Sequence, residues 1–183
     1  MTKTTKRENV YFIEMGDLFK AVRRGDLQFL SSYLSQGGNV NIIFNHIDGM
    51  TILHYACRFG HLELVKCLVE NGADIHLCAN NKYTALHCAA ISKNISIVAY
   101  LISSGANIFF LTDTDSSVLQ WACIYGNLEI VKYLIGLGAD PYATNKIGEN
   151  AFDIACKKNH PPLVEYLGSL MYPRDLIGWF SSS

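Results

Sequence analysis

Residues 48–76 read Asp-Gly-Met-Thr-Ile-Leu-His-Tyr-Ala-Cys-Arg-Phe-Gly-His-Leu-Glu-Leu-Val-Lys-Cys-Leu-Val-Glu-Asn-Gly-Ala-Asp-Ile-His. Stepping forward by 33 residues takes Thr51 to Thr84, Ser117 and Asn150; Leu53 to Leu86, Leu119 and Phe152; Ala56 to Ala89, Ala122 and Ala155; Val65 to Val98, Val131 and Val164. Copies in such register are one repeated supersecondary unit, which buries its apolar face only against neighbouring units.

The stretch also reads locally. Thr51 is placed to cap a helix from about Ile52 to Phe59, and Gly60 ends it. A second helix is expected from about Leu62 to Asn71, with Leu64, Val65, Leu68 and Val69 on one face. Gly72 supplies the left-handed backbone that stops it.

The motifs Thr-Ile-Leu-His at 51–54 and Thr-Ala-Leu-His at 84–87, with Gly-Ala-Asp or Gly-Ala-Asn turns at 72–74, 105–107 and 138–140, resemble the ankyrin-repeat family. The resemblance covers residues 15–167. It implies an all-α fold, an ankyrin-repeat solenoid of stacked helix-turn-helix units with protruding β-hairpin-like turns. The expected organisation is a flexible segment at 1–14, about five repeats at 15–45, 46–78, 79–111, 112–144 and 145–170, and a C-terminal cap or tail at 168–183.

The copies differ in informative ways. In the first, Ala21, Gly25, Leu27, Leu30 and Gly37 match Ala56, Gly60, Leu62, Val65 and Gly72 at an offset of 35, so two extra residues lie between Ile42 and Ile47. Gly16 and Phe19 stand there in place of Thr and His. Lys82 and Lys93 replace turn and helix-ending glycines, which predicts strained or reshaped loops in the third copy. Ser117 and Gln120 replace Thr and His in the fourth, leaving its hydrogen bonding open. Pro161 and Pro162 suit the first turn of a helix, where a missing amide donor costs little.

Of 183 residues, half are apolar, and the net charge is −1. That is enough chain for a core, and it excludes recognition of nucleic acid or membrane by bulk positive charge. Apolar runs fall far short of the ~20 residues of a bilayer span, and the polar start is not a signal peptide; the chain is expected in the cytoplasm or nucleus. Cys57, Cys123 and Cys156 share one repeat position inside an Ala-rich helix, a packing pattern rather than a metal or disulfide framework. No phosphate loop, dinucleotide fingerprint, zinc-protease helix or nucleophile elbow occurs. His54 and His87 fall on the repeat's own histidine position, which in the family bonds neighbouring loop backbone.

These readings converge on a non-enzymatic interaction module, an adaptor, scaffold or inhibitor, with no cofactor and no metal. The alternative is a regulatory or substrate-recruiting module of a larger enzyme such as a membrane acyltransferase or ubiquitin ligase. By resemblance, the residues before each helix-ending glycine and those at the turn tips face the concave groove. The expected contacts are Arg23, Arg24, Met50, Arg58, Phe59, Tyr83, Ile91, Ser92, Ser116, Ile124, Tyr125, Lys157 and Lys158. This row is basic at both ends and apolar in the middle, so the expected partner is a protein segment with apolar anchors flanked by acidic residues, bound by a monomer.

Overall fold

The computed structural model describes residues 15–45 and 47–172. The flexible segment expected at 1–14, and the part of the expected cap or tail beyond Tyr172, lie outside the described residues. The chain forms two compact units, one ending at Ala106 and the other beginning at Asn107.

The first unit opens with helix α1, residues 15–24, followed by α2 (Leu27–Ser35). Asp26 starts α2 by accepting the Phe29 amide at 2.9 Å. A short hairpin follows, β1 (Ile43–Asn45) and β2 (Met50–Thr51), antiparallel with Ile43 opposite Thr51. Then come α3 (Ile52–Phe59) and α4 (Leu62–Glu70), a 3₁₀ turn at Asn80–Lys82, and α5 (Ala85–Ile91) with α6 (Ile95–Ser103). The second unit holds α7 (Val118–Ile124), α8 (Leu128–Gly136), α9 (Ala151–Lys157) and α10 (Pro161–Met171). The paired prolines do open α10.

The first helix of each later pair begins with the same reciprocal cap. Thr51, Thr84, Ser117 and Asn150 hold extended backbone, and each backbone amide donates to the side chain three residues on. The acceptors are His54 Nδ1 at 3.2 Å, His87 Nδ1 at 3.3 Å, Gln120 Oε1 at 3.1 Å and Asp153 Oδ2 at 3.0 Å. Three different chemistries therefore close one capping box, because all that is required is a lone pair at that reach.

The same side chains tie helix to loop. His54 Nδ1 accepts from an amide, so Nε2 carries the proton, and it donates to the Tyr83 carbonyl at 3.1 Å. Gln120 replaces this with two bonds, its Nε2 donating to the carbonyls of Ala143 at 2.9 Å and Glu149 at 3.1 Å. The substitution keeps the hydrogen bonding of that copy and adds to it.

Small residues let the helices approach. Ala56, Ala89, Ala122 and Ala155 are fully buried, as are Leu53, Leu64, Leu86 and Leu101 in the first unit and Leu119, Leu134 and Leu163 in the second. Cys57 and Cys123 are likewise buried, as the packing reading requires, but Cys156 is exposed. That corrects the reading at the third site: among the described residues, no further helix pair lies over that side of α9.

Helix ends use left-handed backbone whatever the residue. Gly60 (φ 81°), Lys93 (φ 59°), Gly126 (φ 73°) and Asn159 (φ 56°) occupy one repeat position, and Gly49, Lys82, Asp115 and Gly148 another, all at positive φ. The loops at Lys82 and Lys93 keep the repeat geometry and accept the strain of a β-carbon.

Candidate interaction surface

In the first unit Arg23, Arg24 and Arg58 lie exposed at the ends of α1 and α3. Phe59 does not stand free beside them. Its ring stacks on Tyr55 at 5.8 Å, and Phe19 meets Phe59, Tyr55 and Phe44 edge-on at 6.2, 5.1 and 5.3 Å. This cluster lies half-buried against β1 and corrects the reading of Phe59 as an open anchor. Phe19, where the repeat would carry its histidine, replaces a hydrogen bond to the loop with ring packing against it.

The Tyr55 hydroxyl donates to Asp48 Oδ2 at 2.6 Å, and burial together with that carboxylate pushes its pKa up to about 12. Met50 is half-buried on β2, its amide held by Asp48 Oδ1 at 3.0 Å. Tyr83 gives its carbonyl to His54 and sets its ring edge-on to His87 at 6.2 Å. Ile91 and Ser92 are half-buried at the end of α5, and Ser92 Oγ donates to the Ala89 carbonyl at 2.9 Å. These groups are largely engaged within the first unit, in their own repeat or, for Tyr83, with the one before it.

The second unit is different. Between α7, α9 and the loop 145–149 lies a pocket of about 330 Å³. Trp121, Ile124 and Ile154 give it apolar walls, Lys146, Lys157 and Lys158 a cationic rim, and Glu149 and Ile147 one lip. Four expected contacts, Ser116, Ile124, Lys157 and Lys158, come together here. Tyr125 remains 37% exposed beside them, stacked on Trp121 at 5.9 Å with 23° between the rings. Trp121 and Ile154, which share one repeat position, are absent from the expected contacts, which came from the helix ends and turn tips.

Ser116 is the least open of the four. It is only 8% exposed, and its hydroxyl lies 3.1 Å from Thr114 Oγ1, itself 2.9 Å from Thr112 Oγ1. Hydroxyls this close satisfy one another, so Ser116 lines the pocket with a hydroxyl already engaged in its own turn.

The loop 145–149 is held tightly. Asn145 Oδ1 accepts the amides of Ile147 at 3.1 Å and Glu149 at 3.0 Å, while the Lys146 amide donates to the Thr114 carbonyl at 3.0 Å. Lys146 Nζ reaches the Asp113 carbonyl, and Lys157 Nζ lies 2.5 Å from Glu149 Oε1. The Lys157 hydrogen bond lowers the Glu149 pKa, so its carboxylate is charged at neutral pH. The described residues contain no group of three or more His, Cys, Asp or Glu placed to hold a metal ion, and no described helix is long and apolar enough to cross a membrane.

Comparison with known proteins agrees with this architecture. Family models for "Ankyrin repeats (3 copies)" and "Ankyrin repeats (many copies)" match residues 18–112 and 119–167. The Notch-regulated ankyrin repeat-containing protein of Homo sapiens is 43% identical over 68 residues, 36% of this chain and 60% of that protein. Serine/threonine-protein kinase TNNI3K of Mus musculus is 46% identical over 50 residues, 27% of this chain and 6% of the kinase. Protein phosphatase 1 regulatory subunit 27 of Homo sapiens is 40% identical over 55 residues, 30% of this chain and 35% of that protein. The chain thus spans about 60% of the length of the first relative and much less of the other two.

Proposed function

Because the chain belongs to the ankyrin-repeat family, whose members are generally non-catalytic protein-interaction modules, we propose that it serves as an adaptor, scaffold or inhibitor. It binds a partner protein through the face made by the first helices and their turns. The partner presents a segment with apolar anchors flanked by acidic residues, and a monomer of this chain binds it in the cytoplasm or nucleus. One observation supports this reading above others: the second-unit pocket joins an apolar Trp121, Ile124 and Ile154 surface to a rim of three lysines and one glutamate. An apolar centre with a charged margin is the anatomy of a protein contact.

The test compares affinity capture from cell extract by the native chain and by an Ile124→Arg, Lys158→Glu double variant with unchanged circular dichroism and melting. A partner lost only in the variant supports the pocket as the binding site. Partners retained equally by both sink it.

A second reading, a recruiting module of a larger enzyme, draws support from the local similarity to a serine/threonine-protein kinase and to a phosphatase regulatory subunit. Sequencing the full transcript separates the two readings: an open frame running on into a catalytic domain turns the adaptor role into recruitment.

A further inference from the structure

We propose that Glu149 is the specificity gate of the second-unit pocket: its carboxylate holds on Lys157 the place that an acidic side chain of the partner takes. The proposal rests on the reading of this pocket as a protein-binding site. It keeps that partner chemistry, an apolar anchor next to Glu or Asp, and adds the residue that sets how strongly the acidic part is felt.

The geometry carries it. Lys157 and Lys158 end α9, Lys146 sits across the loop, and the Trp121 and Ile124 surface lies between them. An apolar side chain seated on that surface brings its neighbours in the chain to the lysine rim. Lys146 already donates to the Asp113 carbonyl. Lys157 is bound to Glu149, whose side chain is only 23% exposed, while the lysine is 61% exposed. The carboxylate is therefore held against the protein, and the ammonium remains open to a second anion.

Glu149 is suited to this role because its backbone ties the loop together, while its side chain accepts from Asn145 as well as Lys157, a bond to Asn145 that an amide oxygen in the same place keeps. Its backbone amide is held by Asn145 and its carbonyl by Gln120. Exchanging the carboxylate for an amide of the same shape removes the charge and leaves those bonds in place. An internal carboxylate on Lys157 lowers affinity for acidic segments in general and selects those with an apolar anchor good enough to compete.

The experiment uses the full chain carrying Trp179→Phe, so that Trp121 is its only indole. Two synthetic peptides serve as probes, one with a central Phe flanked by Glu, the other with the same Phe flanked by Gln. Binding is followed by Trp121 fluorescence and by calorimetry, with Glu149→Gln and Glu149→Gln, Lys157→Gln variants alongside.

The expected result is about fivefold tighter binding of the Glu peptide to Glu149→Gln, a gain typical of one freed charge-assisted contact. That gain disappears when Lys157→Gln is added, fades at high salt, and is absent for the Gln peptide. Equal affinity of the Glu peptide for native and Glu149→Gln chains, with Trp121 still responding, overturns the gate and leaves the pocket reading standing. If neither peptide binds, or binds without changing Trp121 fluorescence, both fall.

Discussion

The imidazole of His61 fills the space a β-carbon on residue 25 would need: such an atom would lie 2.7 Å from His61 Nδ1, while Nε2 lies 3.0 Å from the Arg23 carbonyl oxygen. His160 does the same in the second unit, over Gly126 and 3.0 Å from the Ile124 carbonyl. A histidine at the start of a second helix thus bonds the last turn of the previous repeat's first helix. The absence of a side chain at the glycine is what lets it come down.

Gly126→Ala combines a left-handed backbone with this collision, so it should destabilise the chain by about 1–3 kcal/mol. Urea unfolding measures the loss. His160→Ala, made together with Gly126→Ala, removes the collision but not the backbone strain and should recover part of it.

His54 makes unit one sensitive to acid. Burial lowers its pKa from the ordinary value of 6.5, outweighing the opposing bond to Tyr83. Between 6.5 and the lower folded value the unfolded chain binds the proton and the folded chain does not, so stability falls as pH drops below about 6.5. His54→Gln, which copies the cap that Gln120 makes, should keep the helix start and flatten that part of the pH profile, read from melting temperature across a pH series.

Lys93 carries a β-carbon at φ 59° where its equivalents Gly60 and Gly126 carry none. Lys93→Gly should therefore stabilise the chain by about 0.5–1 kcal/mol, the local strain released being partly offset by the greater freedom glycine gains on unfolding. An unchanged urea midpoint would refute the strain argument.

Phe59→Arg should lower stability by about 1–2 kcal/mol, since the arginine breaks ring contacts with Phe19 and Tyr55 in a half-buried cluster. Ile124→Arg at the edge of the pocket should cost less. Side-by-side thermal melts decide between the two, and equal losses would mean that Phe59 is no more integrated than Ile124.

The repeat was legible because its signals are local and periodic: a cap at Thr51, a small residue at Ala56, a helix stop at Gly60, each recurring 33 residues on. Helix bounds followed to within a residue at α3 and α4. The aromatic cluster was not legible. Phe44 lies in the segment with two extra residues, outside any period, and its partner Phe19 is 25 positions away along the chain. The burial of Ser116 depends on Thr112 and Thr114 folding back, which no spacing rule encodes. Much of the pocket was visible as helix-end and turn-tip repeat positions, Ser116, Ile124, Lys157 and Lys158 among them; Trp121 and Ile154, which share one repeat position, lie outside both sets.

The two hydrogen bonds that Gln120 donates to the carbonyls of Ala143 and Glu149 fasten both limbs of the loop beside the pocket to the first turn of α7. A jaw pinned this way is set before anything enters it. On the proposed reading of the pocket, a segment entering it forfeits little ordering entropy on the receptor side, and encounter approaches the speed of rigid docking, leaving affinity to be decided by how slowly the segment escapes. Weak ligands of this pocket should accordingly be fast ones, suited to frequent exchange of partners rather than permanent assembly.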